Sequence, residues 1–190
     1  QLITPRPIAW VSTLSEDGVA NLAPYSFFNG VGANPPLVMF CPANNRCGEA
    51  KDTLRNVRNS GEFVVNMVTE AMGEQMNQTA AEYAPETDEF VAAGVGKTKS
   101  SQVQAPGVAG CKASLECRLH QILEMGQGPG AANLVIGRIV WLHVAAELFN
   151  ADDEFIAERL DTIGRLGGNA YSRTRDRFEL ERPPQPVHDH

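Results

Sequence analysis

Two long alternating stretches, KASLECRLHQIL and LVIGRIVWLHVAAEL, do most to limit what this chain can become. In the first, Ala113, Leu115, Cys117 and Leu119 share one face of an extended strand, and Ile122 falls out of that register. The second reads as one long strand in which Gly137 marks a bulge or a close approach. The turn-rich segment GQGPGAANL joins them. Strands this long need partners, and shorter apolar runs supply them. IAWVSTL ends at the turn Ser15-Glu16-Asp17-Gly18, and VANLAPYSFF follows as the other arm of a hairpin. LVMFC and FVVNMV read as further strands.

Little of the chain reads as helix. KDTLRNVRNSG takes Asp52 or Thr53 as its cap, carries Leu54 and Val57 as an apolar stripe, and stops at Ser60-Gly61. EAMGEQMNQTAAEY is a second helix, weakened by Gly73. Residues 84–110 are rich in Pro, Gly, Thr and Ser and predict a long surface excursion. About six to eight strands with one or two helices predict a mainly β fold, an antiparallel Greek-key barrel with helices at its rim. A chain of 190 residues accommodates this as one domain, residues 1–180, with a Pro-rich tail at 181–190 that is expected to fray.

Composition narrows the function classes. A net charge of -7 argues against general nucleic-acid binding, though a locally positive site for a small anion remains possible. No run of about 18 apolar residues predicts a membrane span. The stretch QLITPRPIAW lacks the basic region and apolar run of a signal peptide, which predicts a cytoplasmic protein. Cys41 and Cys47 are separated by five residues, as are Cys111 and Cys117. Zinc sites favour closer pairs, so structural thiols are expected and no metal site.

The usual hardware of acid-base or nucleophilic catalysis is missing: there is no G-x-S-x-G, no H-E-x-x-H and no Walker loop. His120 and His143 lie in strand patterns and read as barrel residues, which leaves any reaction to a cofactor. Three segments are candidates for holding one. In AKDTLRN, Lys51, Asp52 and Thr53 open a helix whose first N–H groups are unpaired, which suits a phosphate monoester. The same residues also make an ordinary capped helix with a solvated basic face. In PRPIAWVST, two prolines hold the chain extended around Arg6, as a stiff lead-in to a strand also would. In NLAPYSFFNGVGANPP, the turn-formers Asn29, Gly30, Gly32 and Asn34 follow Phe27 and Phe28. Freed backbone donors there can meet a flat, polar-edged ring, and a broken strand at a barrel corner would look the same. Tyr25 and Phe27 are expected in the core.

Taken in order, TPRPIAWVST, NLAPYSFFNGVGANPPLVMF, KDTLRNVRNSGEFVVN, LECRL and IGRLGGNAYSR resemble the flavin reductase-like family of FMN-binding split barrels. That family includes flavoredoxins and the reductase components of two-component monooxygenases. The resemblance implies a six-stranded Greek-key barrel, a homodimer, and an FMN site near the subunit interface. It places Phe28, Asn29, Gly30 and Val31 beside the isoalloxazine, and Ser12 and Thr13 near the ribityl chain and ring. Lys51, Asp52 and Thr53 fall at the phosphate end, and Arg165 and Tyr171 on a C-terminal segment that closes over the site. Gly32 and Ala33 stand where many relatives carry serines.

The implied activity is an NAD(P)H-dependent reduction of flavin, with electrons passed on to a monooxygenase or another acceptor. A flavoredoxin-like electron carrier reduced by a protein partner is the first alternative. A non-catalytic ligand-binding barrel is the second.

Overall fold

The turn at Asp17-Gly18 sets the first hairpin, because Gly18 takes a φ of +80° that side chains resist. In the computed structural model, which describes residues 2–183, β1 (Arg6–Pro7) leads into β2 (Ala9–Leu14). β3 (Ala20–Tyr25) returns beside it, Ala9 opposite Tyr25 and Leu14 opposite Ala20. β4 (Phe28–Ala33) and β5 (Pro36–Phe40) form a second hairpin, and α1 (Asp52–Ser60) connects to β6 (Glu62–Met67). The short helices α2 (Gly73–Gln78) and α3 (Glu89–Ala92) precede a small pair, β7 (Lys97–Thr98) and β8 (Gly107–Val108). The long strands β9 (Ala113–Glu124) and β10 (Asn133–Val144) pair next, and β11 (Ile163–Gly167) and β12 (Ala170–Arg173) follow.

Seven strands make one antiparallel sheet in the order β3-β2-β6-β9-β10-β5-β4. β3 and β4 are therefore opposite edges, yet only Ser26 and Phe27 separate them in sequence. Three residue steps reach at most about 11 Å, so the sheet must curl until its edges meet at that end. The interior confirms the closure. Val11, Tyr25, Phe28, Phe40, Phe63, Cys117 and Val135 belong to one buried cluster, and between them they represent all seven strands. Leu54 and Val57 join it from α1, as the apolar stripe predicts. The Phe40 ring lies 5.3 Å from Tyr25 and 5.2 Å from Phe63, within the range of favourable aromatic pairs.

Gly137 is required where the sequence places it. A Cβ there would lie 2.2 Å from the Phe63 ring, so the ring occupies the space a side chain would need. The register also shifts beside it: Ile136 faces Gln121, but Gly137 faces Leu119, leaving His120 unmatched. This bulge corrects the expected register of β9. It turns Ile122 back toward the interior, where it packs with Leu115 and Leu119 on the barrel core.

Two other expectations change. The 84–110 segment is no surface excursion, since Phe90, Val103, Ala105 and Val108 are buried. Phe90 and Val108 pack with Ile8, Trp10, Leu22 and Met76 on the outer face of the first hairpin. Helix α2 is also shorter than the pattern suggests, with a single 3-10 turn at Glu70–Met72 in front of it. The tail from residue 184 onward, with His188 and His190, lies outside the described residues.

Candidate functional site

Where α1 begins, its first turn meets β3 and the chain after α2, and between them lies a cleft of about 350 Å³. Lys51, Asp52 and Thr53 line it together with Asn21, Pro24, Tyr25 and Thr79. The helix starts one residue earlier than the expected cap. Lys51 holds the cap position with extended backbone (φ −66°, ψ 160°), and no side chain caps the amides that follow. Asp52 is the first helical residue and pairs with Arg55, whose guanidinium also donates to the Ala50 carbonyl at 2.7 Å. Thr53 turns its hydroxyl to Asn21 Oδ1 at 2.6 Å. Arg58 pairs with Glu124 at 2.6 Å. Among the described residues, Lys51 is the one cation of this segment without an ion pair. The start of α1 therefore offers open N–H groups, the positive end of the dipole and a free ammonium.

A buried polar network supports this corner. Asn21 Oδ1 accepts from Thr53 and, at 3.3 Å, from Thr13 Oγ1, which in turn accepts from Asn56 Nδ2 at 3.0 Å. Asn21 Nδ2 donates to Glu89 Oε1 at 2.7 Å, and the Leu22 amide donates to Glu89 Oε2 at 3.1 Å. Burial raises the Glu89 pKa above the usual carboxylate range, and its own backbone amide together with these two donors only partly offsets it. Tyr25 is the exception to this bonding. Its hydroxyl is buried without a partner in hydrogen-bond geometry, and burial drives its pKa above the ordinary phenol range, the nearby Thr53 hydroxyl offsetting only part of this. The free cation and open helix amides fit an anionic group such as the phosphate of FMN at this end of the cleft, while Glu49 and Glu82 make the rest of its lining acidic.

The sequence-predicted residues divide into three groups. Lys51, Asp52 and Thr53 come together in the cleft. Ser12 and Thr13 are fully buried and point to opposite faces of β2: Thr13 holds Asn21 of the cleft, whereas Ser12 turns away from it and donates to the Pro106 carbonyl at 2.5 Å. Phe28, Asn29, Gly30 and Val31 lie on β4, and here the expected break does not occur. The strand runs through to Ala33, with a bulge that leaves Val31 unmatched against β5. Phe28 is buried in the barrel, whereas Asn29, Gly30 and Val31 are exposed on this edge strand. Phe27 is likewise exposed instead of buried, and the Arg6 guanidinium lies 5.5 Å from the centre of its ring. Arg165 and Tyr171 face one another across the β11–β12 hairpin, 4.7 Å from guanidinium to ring centre. The Tyr171 hydroxyl reaches Asn77 Oδ1 at 3.5 Å, two residues before Thr79 of the cleft.

Asn21, Tyr25 and Glu89 were not legible as site residues. Asn21 did carry a signal: it sits opposite Thr13 across the hairpin, and two polar residues paired on an inward face imply a buried network. Glu89 gave none, because its contacts span 67 and 68 positions of sequence.

Among the described residues no helix is long and apolar enough to cross a membrane. Residues 2–163 match the model of the flavin reductase like domain. An uncharacterised protein of Bacillus subtilis, YwrF, is 38% identical over 184 residues, spanning 95% of this chain and 89% of its own. Nitrilotriacetate monooxygenase component B from Bacillus cereus is 39% identical, with a TM-score of 0.87 over 94% of this chain and 88% of that one. The 2-nitrobenzoate 2-nitroreductase of Pseudomonas fluorescens is 34% identical, with a TM-score of 0.85 over 95% and 86% of the two chains. Flavoredoxin of Desulfovibrio vulgaris, at 18% identity and a TM-score of 0.79 over 94% and 91%, shares the fold. The chain belongs to the flavin reductase-like family and is a split-barrel protein of the flavin-related oxidoreductase class.

Proposed function

We propose that the protein binds FMN in the cleft at the start of α1 and works as an NAD(P)H-dependent flavin reductase. The observation that carries this reading is the set of unsatisfied groups around one cavity: uncapped helix amides, the unpaired Lys51 and the orphaned Tyr25 hydroxyl. Lys51 and the amides of Asp52 and Thr53 would take the phosphate, with Thr53 held in place by Asn21. Asp52 is kept from repelling it by its pairing with Arg55. Thr13 supports the cleft by holding Asn21, and Phe28 to Val31 border the flavin from β4. When bound, FMN supplies the redox chemistry, accepting a hydride from a dihydronicotinamide and passing its electrons to an acceptor. The side chains supply position and charge, and none is asked to act as an acid or base.

The similarity to nitrilotriacetate monooxygenase component B favours a monooxygenase as that acceptor. A homodimer accords with the exposure of Val31, Trp141 and Leu142, apolar side chains that a second subunit would cover. The four free cysteines suit a cytoplasmic setting.

Purified protein is titrated with FMN and with riboflavin, then mixed rapidly with NADH and NADPH. The proposal expects FMN to bind more tightly than riboflavin and to bleach with at least one donor. Flavin that binds but does not bleach with either donor would identify an electron carrier instead. Absence of flavin binding would leave a barrel with another ligand.

A further inference from the structure

Four side chains line up along a second, three-stranded sheet in the order β1-β11-β12. Arg6 on β1 lies opposite Arg165 on β11, and Arg165 lies opposite Tyr171 on β12. Directly opposed residues carry their side chains on the same face, so the three form one row across three strands. Arg6 also rests over the exposed Phe27 ring. The row therefore reads ring, guanidinium, guanidinium, ring.

Two like charges directly opposed across a strand pair cost stability. Among the described residues neither arginine has a carboxylate partner. Arg6 bonds Ser26 Oγ at 3.2 Å and the Ile3 carbonyl at 3.0 Å, and Arg165 bonds the Gly168 carbonyl. The contrast with nearby arginines is informative, because Arg173 at the end of β12 pairs with Glu70 and Arg175 just beyond it pairs with Asp161. An uncompensated pair in a chain of net charge -7 is suited to an anion supplied from outside. Paired guanidinium forks match phosphate oxygens, and the flanking rings steady the guanidiniums that lie over them.

We propose that Arg6 and Arg165 clamp the phosphates of the nicotinamide dinucleotide, each guanidinium steadied by its own ring, Phe27 or Tyr171. The assignment rests on the reductase reading and gives Arg165 and Tyr171 to the electron donor instead of the flavin. Location supports the division of labour. Ser26, bonded by Arg6, follows Tyr25 of the cleft, and Asn77, bonded by Tyr171, lies two residues from Thr79 of the cleft. A dinucleotide held by its phosphates on the row would have its other end beside the flavin.

The test uses ADP-ribose and its 2'-phosphate, redox-silent fragments of the donors, in calorimetric titrations of the full chain at low salt. Arg6→Gln and Arg165→Gln are each expected to weaken binding about tenfold and to flatten its salt dependence, with FMN affinity unchanged. Arg6→Lys should lose less than Arg6→Gln. Melting temperatures of the glutamine variants should equal or exceed wild type, because a repulsion has been removed; arginines that merely brace the hairpin would lower them. Weakening of both probes would place the pyrophosphate in the clamp, and weakening of the 2'-phosphorylated probe alone would place the 2'-phosphate there; either supports it. Wild-type protein that binds neither fragment, or glutamine variants that bind them as wild type does, would overturn the clamp. Failure of the reductase reading is separate, appearing as loss of FMN binding in the wild type.

Discussion

Two buried carboxylates tie the 84–110 segment to the barrel, and they are treated in opposite ways. Glu116, on β9, accepts backbone N–H bonds from Ser101 at 2.7 Å, Gln102 at 2.6 Å and Val103 at 3.2 Å, and pairs with His143. Burial opposes its ionisation, but the amides and the imidazole outweigh burial and hold its pKa below the usual range. Glu89, at the cleft, has fewer donors, and there burial prevails and raises the pKa. The difference separates a seam from a site. Polar groups are fully compensated where the segment is sewn to the sheet, and left short of partners where Tyr25, Lys51 and the first turn of α1 meet. Incomplete satisfaction of that kind is costly in an empty fold and useful around a ligand.

Breaking the seam should have the largest effect on the fold. Glu116→Gln removes a charged acceptor from three amides and is expected to cost about 3 kcal/mol in urea unfolding. Flavin affinity measured under native conditions should hold within about twofold, since the seam lies away from the cleft. Lys51→Met is the converse change. FMN affinity should fall about ten- to a hundredfold, the worth of a charged hydrogen bond to phosphate, while stability moves by less than about 0.5 kcal/mol.

The pH profile sharpens the same contrast, because the two carboxylates act on opposite limbs. Stability rises with pH wherever the unfolded chain binds more protons than the native one. Glu116 has its folded pKa depressed, so its contribution is complete above the unfolded value of 4.5 and is lost as pH falls through the folded one. Glu89 has its folded pKa raised, so its contribution is present below 4.5 and is lost as pH rises through the higher folded value. Melting curves across this range should show Glu116→Gln flattening the acid limb and Glu89→Gln flattening the limb above it. Matching slopes in the two variants would erase the distinction between seam and site.

Much of this was readable from sequence where the determinants are local. The Asp17-Gly18 turn fixed the first hairpin, the Leu54–Val57 stripe fixed the buried face of α1, and Gly137 announced a close approach. Misreadings arose where distant residues decide the outcome. Phe27 and Phe28 are adjacent and equally apolar, but closure of the barrel turns Phe28 inward and leaves Phe27 under Arg6. Composition made 84–110 look like surface, although Glu116 and Glu89 fasten it from other elements. In the cleft, the Lys-Asp-Thr segment was legible because a helix start has a local signature. Its partners Asn21, Tyr25 and Glu89 were not, since tertiary structure alone brings them together.

The smallest expected change is at Tyr25. Tyr25→Phe deletes a buried hydroxyl without a partner, so the flavin-free protein should be as stable as wild type or better by up to about 1 kcal/mol. Differential scanning calorimetry measures this directly, and a clear loss of stability would mean that the hydroxyl is already satisfied within the fold.

The central claim is that the start of α1 is built for the phosphate of FMN. Parallel titrations of wild type and Lys51→Met with FMN and riboflavin test it most directly. The account predicts that wild type prefers FMN by about tenfold or more and that Lys51→Met removes most of this preference while riboflavin affinity stays the same. Equal affinity of wild type for the two flavins, or an FMN preference that survives the substitution, would contradict it.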